Sequence, residues 1–370
     1  MNRSVFRKRL ATLRGCLAAK SPDTLWVIQP ENRRYLSGFR AADAQLNESS
    51  GSLIINRKRA ILITDSRYTI EAQKQAVDFE VITLKKDLIT ELSEVVTGLK
   101  TEVLGFEGDH LAWEQHRQFA KRLRALKAPV SMAPMDGFIG RMREIKDRSE
   151  IRAMKASADI MSAVLDEVIY SLEPGLTEME VAREIEELAY DAGAEGMAFP
   201  PIVASGPNAA LPHAVPTARK IGAKDPVIFD VGVRLKGYCS DMTRTIFLEP
   251  PDGRFKKIYR VVRQAQLAAL EYIRPGEDST KPDSIAREII REAGFGEFFG
   301  HSLGHGVGLA THEAPRLSPR NPVKLEEGMV VTVEPGIYIP GKGGVRLEEM
   351  VVIEKHGPRI LTENDNYYDF

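Results

Sequence analysis

The chain has 370 residues, which at about 150 residues per domain predicts two or three domains. Apolar residues make up 43% and charged residues 28%, the balance of a soluble globular protein with a core large enough to need no disulfides. Lys and Arg (51) nearly cancel Asp and Glu (52), which argues against general attraction to nucleic acid or an anionic membrane. Two cysteines, Cys16 and Cys239, make no disulfide framework and no C-x-x-C metal or redox motif. Arg and Lys interrupt every apolar run of the basic N-terminal stretch, so no signal peptide is expected there. No run approaches the roughly 18 apolar residues of a membrane span, and the cytoplasm is the expected location.

In chain order, a helix with apolar Val5, Leu10, Leu13 and Leu17 opens a compact α/β domain over residues 1–135. Strand-like runs follow at Leu25–Ile28, Ser52–Ile55 and Ile61–Thr64, with amphipathic stretches near 67–77, 86–98 and 111–125. The Pro-rich stretch Ala128–Pro134 predicts the boundary to a second domain, 140–370. Capping-box spacings at Asp147/Glu150 and Thr177/Glu180 open two helices, the second stopping near Gly193. Strand runs follow at 201–205, 227–233 and 238–247, with Lys236-Gly237 as a hairpin turn. Helices near 255–273 and 283–293 and strand runs at 328–333 and 345–354 repeat that order, predicting a pseudo-symmetric α+β domain. The acids agree with the repeat: Asp230 to Glu334 is 104 positions and Asp241 to Glu348 is 107.

Those four acids sit in apolar runs. An unpaired buried carboxylate costs several kcal/mol, so each needs a cation, a metal or strong hydrogen-bond donors. Arg346 and Glu348 stand at i and i+2 on one strand face, so an ion pair between them is an alternative for Glu348. It would leave Asp230, Asp241 and Glu334 unexplained. Three of the seven histidines, His301, His305 and His312, fall within twelve positions, interleaved with Gly304, Gly306 and Gly308; His213 stands apart. The glycines suit a close approach of backbone to ligand or a positive φ. A phosphate loop is the competing reading, but neither a P-loop nor a G-x-G-x-x-G is present, and H-E-x-x-H is absent too. Four acids and a histidine make an oxygen-rich site for Mn, Mg or a similar ion. Their charge fits two divalent ions, about 3.5–4 Å apart, with a water acidified between them. The other histidines would donate hydrogen bonds to a carbonyl and its oxyanion.

This combination resembles the M24-type metallopeptidases of the creatinase/prolidase/methionine aminopeptidase superfamily, which have the pita-bread fold. The matching segments are Ala210–His213, Phe229–Gly232, Ser240–Thr245, Gly304–Leu309 with His312 and Glu313, Val333–Tyr338 and Val345–Glu349. Asn32–Phe39 and Thr64–Tyr68 are similar to the creatinase-like N-terminal domain of the proline-peptidase branch. The resemblance implies Asp230, Asp241, His305, Glu334 and Glu348 as ligands of two metal ions, with Asp241 and Glu348 bridging. It gives Mn as the expected metal, with Co, Fe and Zn as alternatives. It places His213 and His312 at the scissile carbonyl, and His301, Tyr338 and Arg346 on the substrate side or behind the ligands. Glu334 would also move a proton towards the leaving imino group. Many relatives have Asp where this chain has Glu349.

The implied activity is cleavage of Xaa-Pro bonds, as an aminopeptidase or a dipeptidase. Proline lacks an N–H and restricts its neighbour, so such bonds suit a dedicated pocket. A non-catalytic binding protein and a metal-free creatinase-like hydrolase would both have lost ligands, whereas all five are present. The proposed partners are a proline-containing peptide and a second copy in a homodimer. Arg316, four positions after His312, is a candidate anchor for a dipeptide's carboxylate; the alternatives are a solvated residue or a pair with Glu313.

Overall fold

The computed structural model describes residues 3–19, 22–43, 45 and 48–370, and the chain divides into two compact units, Met1–Met142 and Arg143–Phe370. The first unit is built on six strands: Thr24–Val27, Ser52–Asn56, Ala60–Thr64, Glu80–Thr83, Val103–Phe106 and Ser131–Pro134. Their order across the sheet is fourth, third, second, first, fifth, sixth. The opening helix, Arg3–Ala19, buries Leu10, Leu13 and Leu17 as its apolar spacing predicts. One face of the sheet packs Trp26, Ile54, Ile61 and Phe106 against Leu92, Val96, Phe119 and Leu123 of two helices.

The expected boundary differs in its details. Ser131–Pro134, within the Pro-rich stretch, pairs in parallel with Val103–Phe106 as an edge strand of this sheet. Proline lacks a ladder donor, so Pro134 ends an edge strand without ending the domain. The division falls later, between Met142 and Arg143, inside the helix Phe138–Glu144.

The second unit repeats one plan. Its first half has helices Arg148–Ser171 and Glu178–Asp191, both opened by complete capping boxes. They cover a hairpin whose arms are Val227–Val231 and Met242–Ile246. Its second half has helices Gly253–Tyr272 and Thr280–Glu292 packed over a hairpin of Val330–Val333 and Glu349–Glu354. The pseudo-symmetric α+β arrangement is therefore present. Among the described residues, no helix is long and apolar enough to cross a membrane.

Each hairpin breaks its ladder near an acid. In the first, pairing stops at Gly232 and resumes between Val233–Leu235 and Tyr238–Cys239. The turn is Lys236-Gly237, both at positive φ (51° and 83°), which suits a tight hairpin turn. In the second, pairing stops at Val333 and resumes between Gly336–Ile339 and Gly343–Arg346. Asp241 and Glu348 therefore lie in breaks between strands, not within strands as the apolar runs suggested.

Gly232 makes the first break possible. A Cβ there would lie 2.1 Å from the Ser240 carbonyl oxygen, on backbone that cannot swing away. Gly232→Ala is expected to destabilise the protein by roughly 2–3 kcal/mol, read as a lower urea midpoint at unchanged slope. An unchanged midpoint would mean that the two arms separate freely.

Candidate active site

The two hairpins lie back to back. Glu348 N–H donates to Thr243 O (3.0 Å), and the Thr245 hydroxyl donates to Arg346 O (2.8 Å). This join brings the acids of both halves to one cavity of about 520 Å³. It is lined by Asp230, Asp241, Glu334, Glu348, His213, His301, His305, His312, Arg316 and Arg346, with Phe199, Pro200, Ile202 and Pro212 as apolar wall. Of the residues expected from sequence, only Tyr338 stands behind the lining; its hydroxyl touches His301 and Arg346, both at 2.9 Å.

Asp241, His305 and Glu348 each offer a ligand atom, and these atoms lie within 4.8 Å of one another. His305 Nε2 is 3.7 Å from Asp241 and 3.4 Å from Glu334. His305 Nδ1 meets Gly306 O at 3.0 Å, which places the proton on Nδ1 and leaves Nε2 bare toward the acids. Burial pushes the His305 pKa down to about 4, so its ring is neutral at pH 7, as a ligand must be.

Burial, then the neighbouring carboxylates, holds Asp241 and Glu348 well above the ordinary carboxylate range. Glu334 is pushed up to about 8, mainly by burial. Among the described residues few donors face these acids: Thr243 donates to Glu348 (2.7 Å) and Thr332 to Glu334 (3.2 Å). Carboxylates this crowded and this poorly hydrogen-bonded fit a cation. The set, three or four oxygen donors and one imidazole, suits a hard or borderline divalent ion.

The Arg346–Glu348 pair anticipated as an alternative is not formed. The break after Arg346 turns its guanidinium to Asp230, at 2.5 Å. Arg346 also donates to Tyr338, to Pro212 O (3.0 Å) and to Thr243 (3.1 Å). Thr243 thus links Arg346 to Glu348. From Tyr338 the network reaches His301, whose pKa burial lowers to about 4 and whose Nδ1 meets Ser302 O (2.9 Å).

Of the glycines in the histidine segment, Gly304 lines the cavity, as a close approach of backbone to a ligand requires. None of Gly304, Gly306 and Gly308 has a positive φ. A Cβ at Gly304 would lie 2.0 Å from Thr332 O and one at Gly306 2.3 Å from Ala314 O, so these glycines let backbone meet backbone. His305 and His312 come together, ring centroids 4.3 Å apart. Glu313 is buried beside Arg143 and Lys146 and accepts from Ala310 N–H (2.9 Å), which ties down the loop bearing His312. Burial opposes its ionisation, but the two cations outweigh that and hold its carboxyl below the usual range. Glu313 is therefore not the partner of Arg316, which is exposed, lines the cavity and, among the described residues, forms no ion pair.

Thr243 and Thr332 were missed from sequence. The available signal was spacing: each stands two positions from a site acid in a strand run, Thr243 after Asp241 and Thr332 before Glu334.

The model of Metallopeptidase family M24 matches residues 152–355, and that of the Creatinase/Prolidase N-terminal domain matches residues 9–145. An Xaa-Pro dipeptidase from Bacillus anthracis has a similar structure, with a TM-score of 0.90 and 37% identity, over 97% of this chain and 98% of that one. An X-Pro aminopeptidase from Thermotoga maritima gives a TM-score of 0.85 at 36% identity, with coverage of 97% and 98%. The Xaa-Pro dipeptidase of Pyrococcus furiosus is 36% identical over 360 residues, 97% of this chain and 99% of its own length.

The raised carboxyls set a pH dependence for the metal-free protein. Asp241, Glu334 and Glu348 hold protons in the fold that they release on unfolding. The native state then binds more protons than the unfolded one, so stability falls as pH rises from about 5 to about 8. Divalent metal should raise the melting temperature and flatten this slope. Melts of chelated and Mn-loaded protein at pH 5, 6.5 and 8 check it; equal melting of the chelated protein at all three would reject the charge crowding.

Proposed function

The chain belongs to metallopeptidase family M24, and on that footing we propose that it hydrolyses the bond between an N-terminal residue and proline with two divalent metal ions. The convergence of Asp241, His305 and Glu348, with Glu334 and Asp230 beside them, carries this reading. Four carboxylates and the Arg346 guanidinium leave more negative charge than one divalent ion neutralises. Bound there, the ions would supply Lewis acidity and lower the pKa of a water. We assign Asp230, Asp241, His305, Glu334 and Glu348 as the ligands, and Mn as the native metal.

The remaining roles follow from position. Glu334 takes a proton from the attacking water and delivers it to the leaving imino nitrogen. His213 and His312 donate hydrogen bonds to the carbonyl oxygen as it gains charge. Arg346 and Tyr338 orient Asp230 and His301. Phe199, Pro200 and Ile202 give the substrate side an apolar wall. A homodimer in the cytoplasm completes the reading; the near-zero net charge permits self-association.

Two substitutions separate ligand from donor. Asp241→Asn should lose bound metal and activity together. His312→Ala should keep its metal and lose roughly 10²–10³-fold in kcat. Metal analysis beside steady-state kinetics distinguishes them, and equal metal loss in both would make His312 a ligand.

Relatives include both dipeptidases and an aminopeptidase, and Arg316 favours the dipeptidase. It stands opposite His305 in the sheet register, exposed at the cavity. A dipeptide's proline carboxylate lies one residue beyond the cut, where a guanidinium can take it as a bidentate pair. Arg316→Ala should reduce kcat/KM roughly 10- to 100-fold on an Xaa-Pro dipeptide and little on its amide. An equal effect on both substrates would transfer the reading to an aminopeptidase acting on longer chains.

A further inference from the structure

The two halves of the second unit share more than their hairpins. Glu178 and Asp283 are shielded almost completely, at 0% and 1% exposure. Each lies in the first turn of the second helix of its half, Glu178–Asp191 and Thr280–Glu292. They stand 105 positions apart, between the 104 that separate Asp230 from Glu334 and the 107 that separate Asp241 from Glu348. Neither lines the metal cavity. A buried carboxylate is tolerated only when its oxygens are well hydrogen-bonded or paired, and the partners of these two are informative.

Glu178 is satisfied by one segment. Its Oε1 accepts from the Ser205 N–H (2.7 Å) and hydroxyl (2.8 Å). Its Oε2 accepts from the Thr217 N–H (3.0 Å) and hydroxyl (2.7 Å). The Asn208 amide donates to both, at 3.2 and 3.0 Å. Ser205 and Thr217 are the two ends of the segment that carries Pro212 and His213. The carboxylate therefore closes that loop at its base.

Asp283 does the same by a different route. Its Oδ1 accepts from the Leu303 N–H (3.0 Å), and its two oxygens hold the Arg287 guanidinium at 2.9 and 3.0 Å. Arg287 in turn donates to Phe299 O and His301 O, both at 2.9 Å. The Leu303 bond and both carbonyl bonds of Arg287 fall on residues 299–303, the segment that carries His301.

We propose that Glu178 and Asp283 are equivalent positioning residues, one in each half, that hold the His213 and His301 loops against the metal cavity. Their effect on turnover rests on the peptidase reading above; their effect on the loops does not. The chemistry demands an acid at 178. All the side-chain hydrogen bonds reaching it come from donors, and an amide would turn its own N–H groups against one or more of them.

Glu178→Gln and Asp283→Asn in the full-length, Mn-loaded protein test this, through hydrogen exchange and kinetics. Glu178→Gln should speed amide exchange about tenfold across 206–217 and leave 299–303 at the wild-type rate. Asp283→Asn should do the reverse. Bound metal should stay at the wild-type level in both. With an Xaa-Pro dipeptide, kcat of Glu178→Gln should fall roughly 10- to 100-fold at nearly constant KM, as a small misplacement of a reacting group does. It should also add nothing to His213→Ala, because it acts through that histidine. Asn208→Ala, at a partly exposed position, gives a milder version of the same pattern should Glu178→Gln not fold. Unchanged exchange in both loops, faster exchange spread over the whole unit, or a kcat loss that multiplies with that of His213→Ala would each overturn the proposal. If the wild-type protein cleaves no Xaa-Pro peptide, the peptidase reading fails, and the exchange pattern alone decides this one.

Discussion

Four carboxylates share one partly apolar cavity, and the rest of the second unit is arranged around that repulsion. Asp241 and Glu348 are nearly inaccessible, and both are held well above the ordinary range by burial and by one another's neighbours. To ionise so many carboxylates in one place the fold needs compensation. Arg346 supplies part of it through Asp230. The metal chemistry of family M24 fits the remainder, and the donor set fits the metal.

The pita-bread fold brings such a group together by joining two hairpins and interrupting each. In each hairpin the register already sets the two acids on one face: Asp230 pairs with Thr243, two positions from Asp241, and Val333 pairs with Glu349, which brings Glu334 level with Glu348. The breaks at Gly232 and after Val333 take Asp241, Glu334 and Glu348 out of the ladders at the cavity. Arg244 then secures the second break from behind. It donates to Glu348 O (2.6 Å) and pairs with Glu349 at 3.3 Å, while Thr362 and Tyr367 each donate to Glu349 at 2.5 Å. Glu349 is thus held behind the site by Arg244, Thr362 and Tyr367, and it does not line the cavity that Glu348 faces.

Much of this was legible in the sequence because it is local. The capping boxes at Asp147 and Thr177 depend on residues three apart, and both form as spaced. Acids in apolar runs announced the site because nothing short of a cation or a donor cluster tolerates them there. What depended on contacts between distant segments was not legible. Arg346 could be paired with Glu348 by spacing, yet it meets Asp230, 116 positions away. The glycines around His305 read as room for a ligand, and their packing against Thr332, Glu313 and Ala314 could not be read from spacing. Pro134 read as a domain boundary, although an edge strand accommodates it equally well.

Six shielded acids of this unit fall into two sets, and hydrogen-bond supply separates them. Glu178, Asp283 and Glu313 are as inaccessible as the site acids or nearly so, but each has donors or cations for its oxygens, from Ser205 and Thr217, from Leu303 and Arg287, and from Arg143, Lys146 and Ala310. Among the described residues, Asp241, Glu334 and Glu348 have a threonine or less besides one another and His305. Burial alone would mark all six as unusual. The supply of donors separates the carboxylates satisfied by the protein from those left crowded, because an acid whose oxygens already hold donors or cations gains little from a metal ion. The satisfied acids hold the loops of His213, His301 and His312, and the unsatisfied ones face the cavity those loops surround. The same physical cost of a buried charge therefore supports both the scaffold of this site and its chemistry.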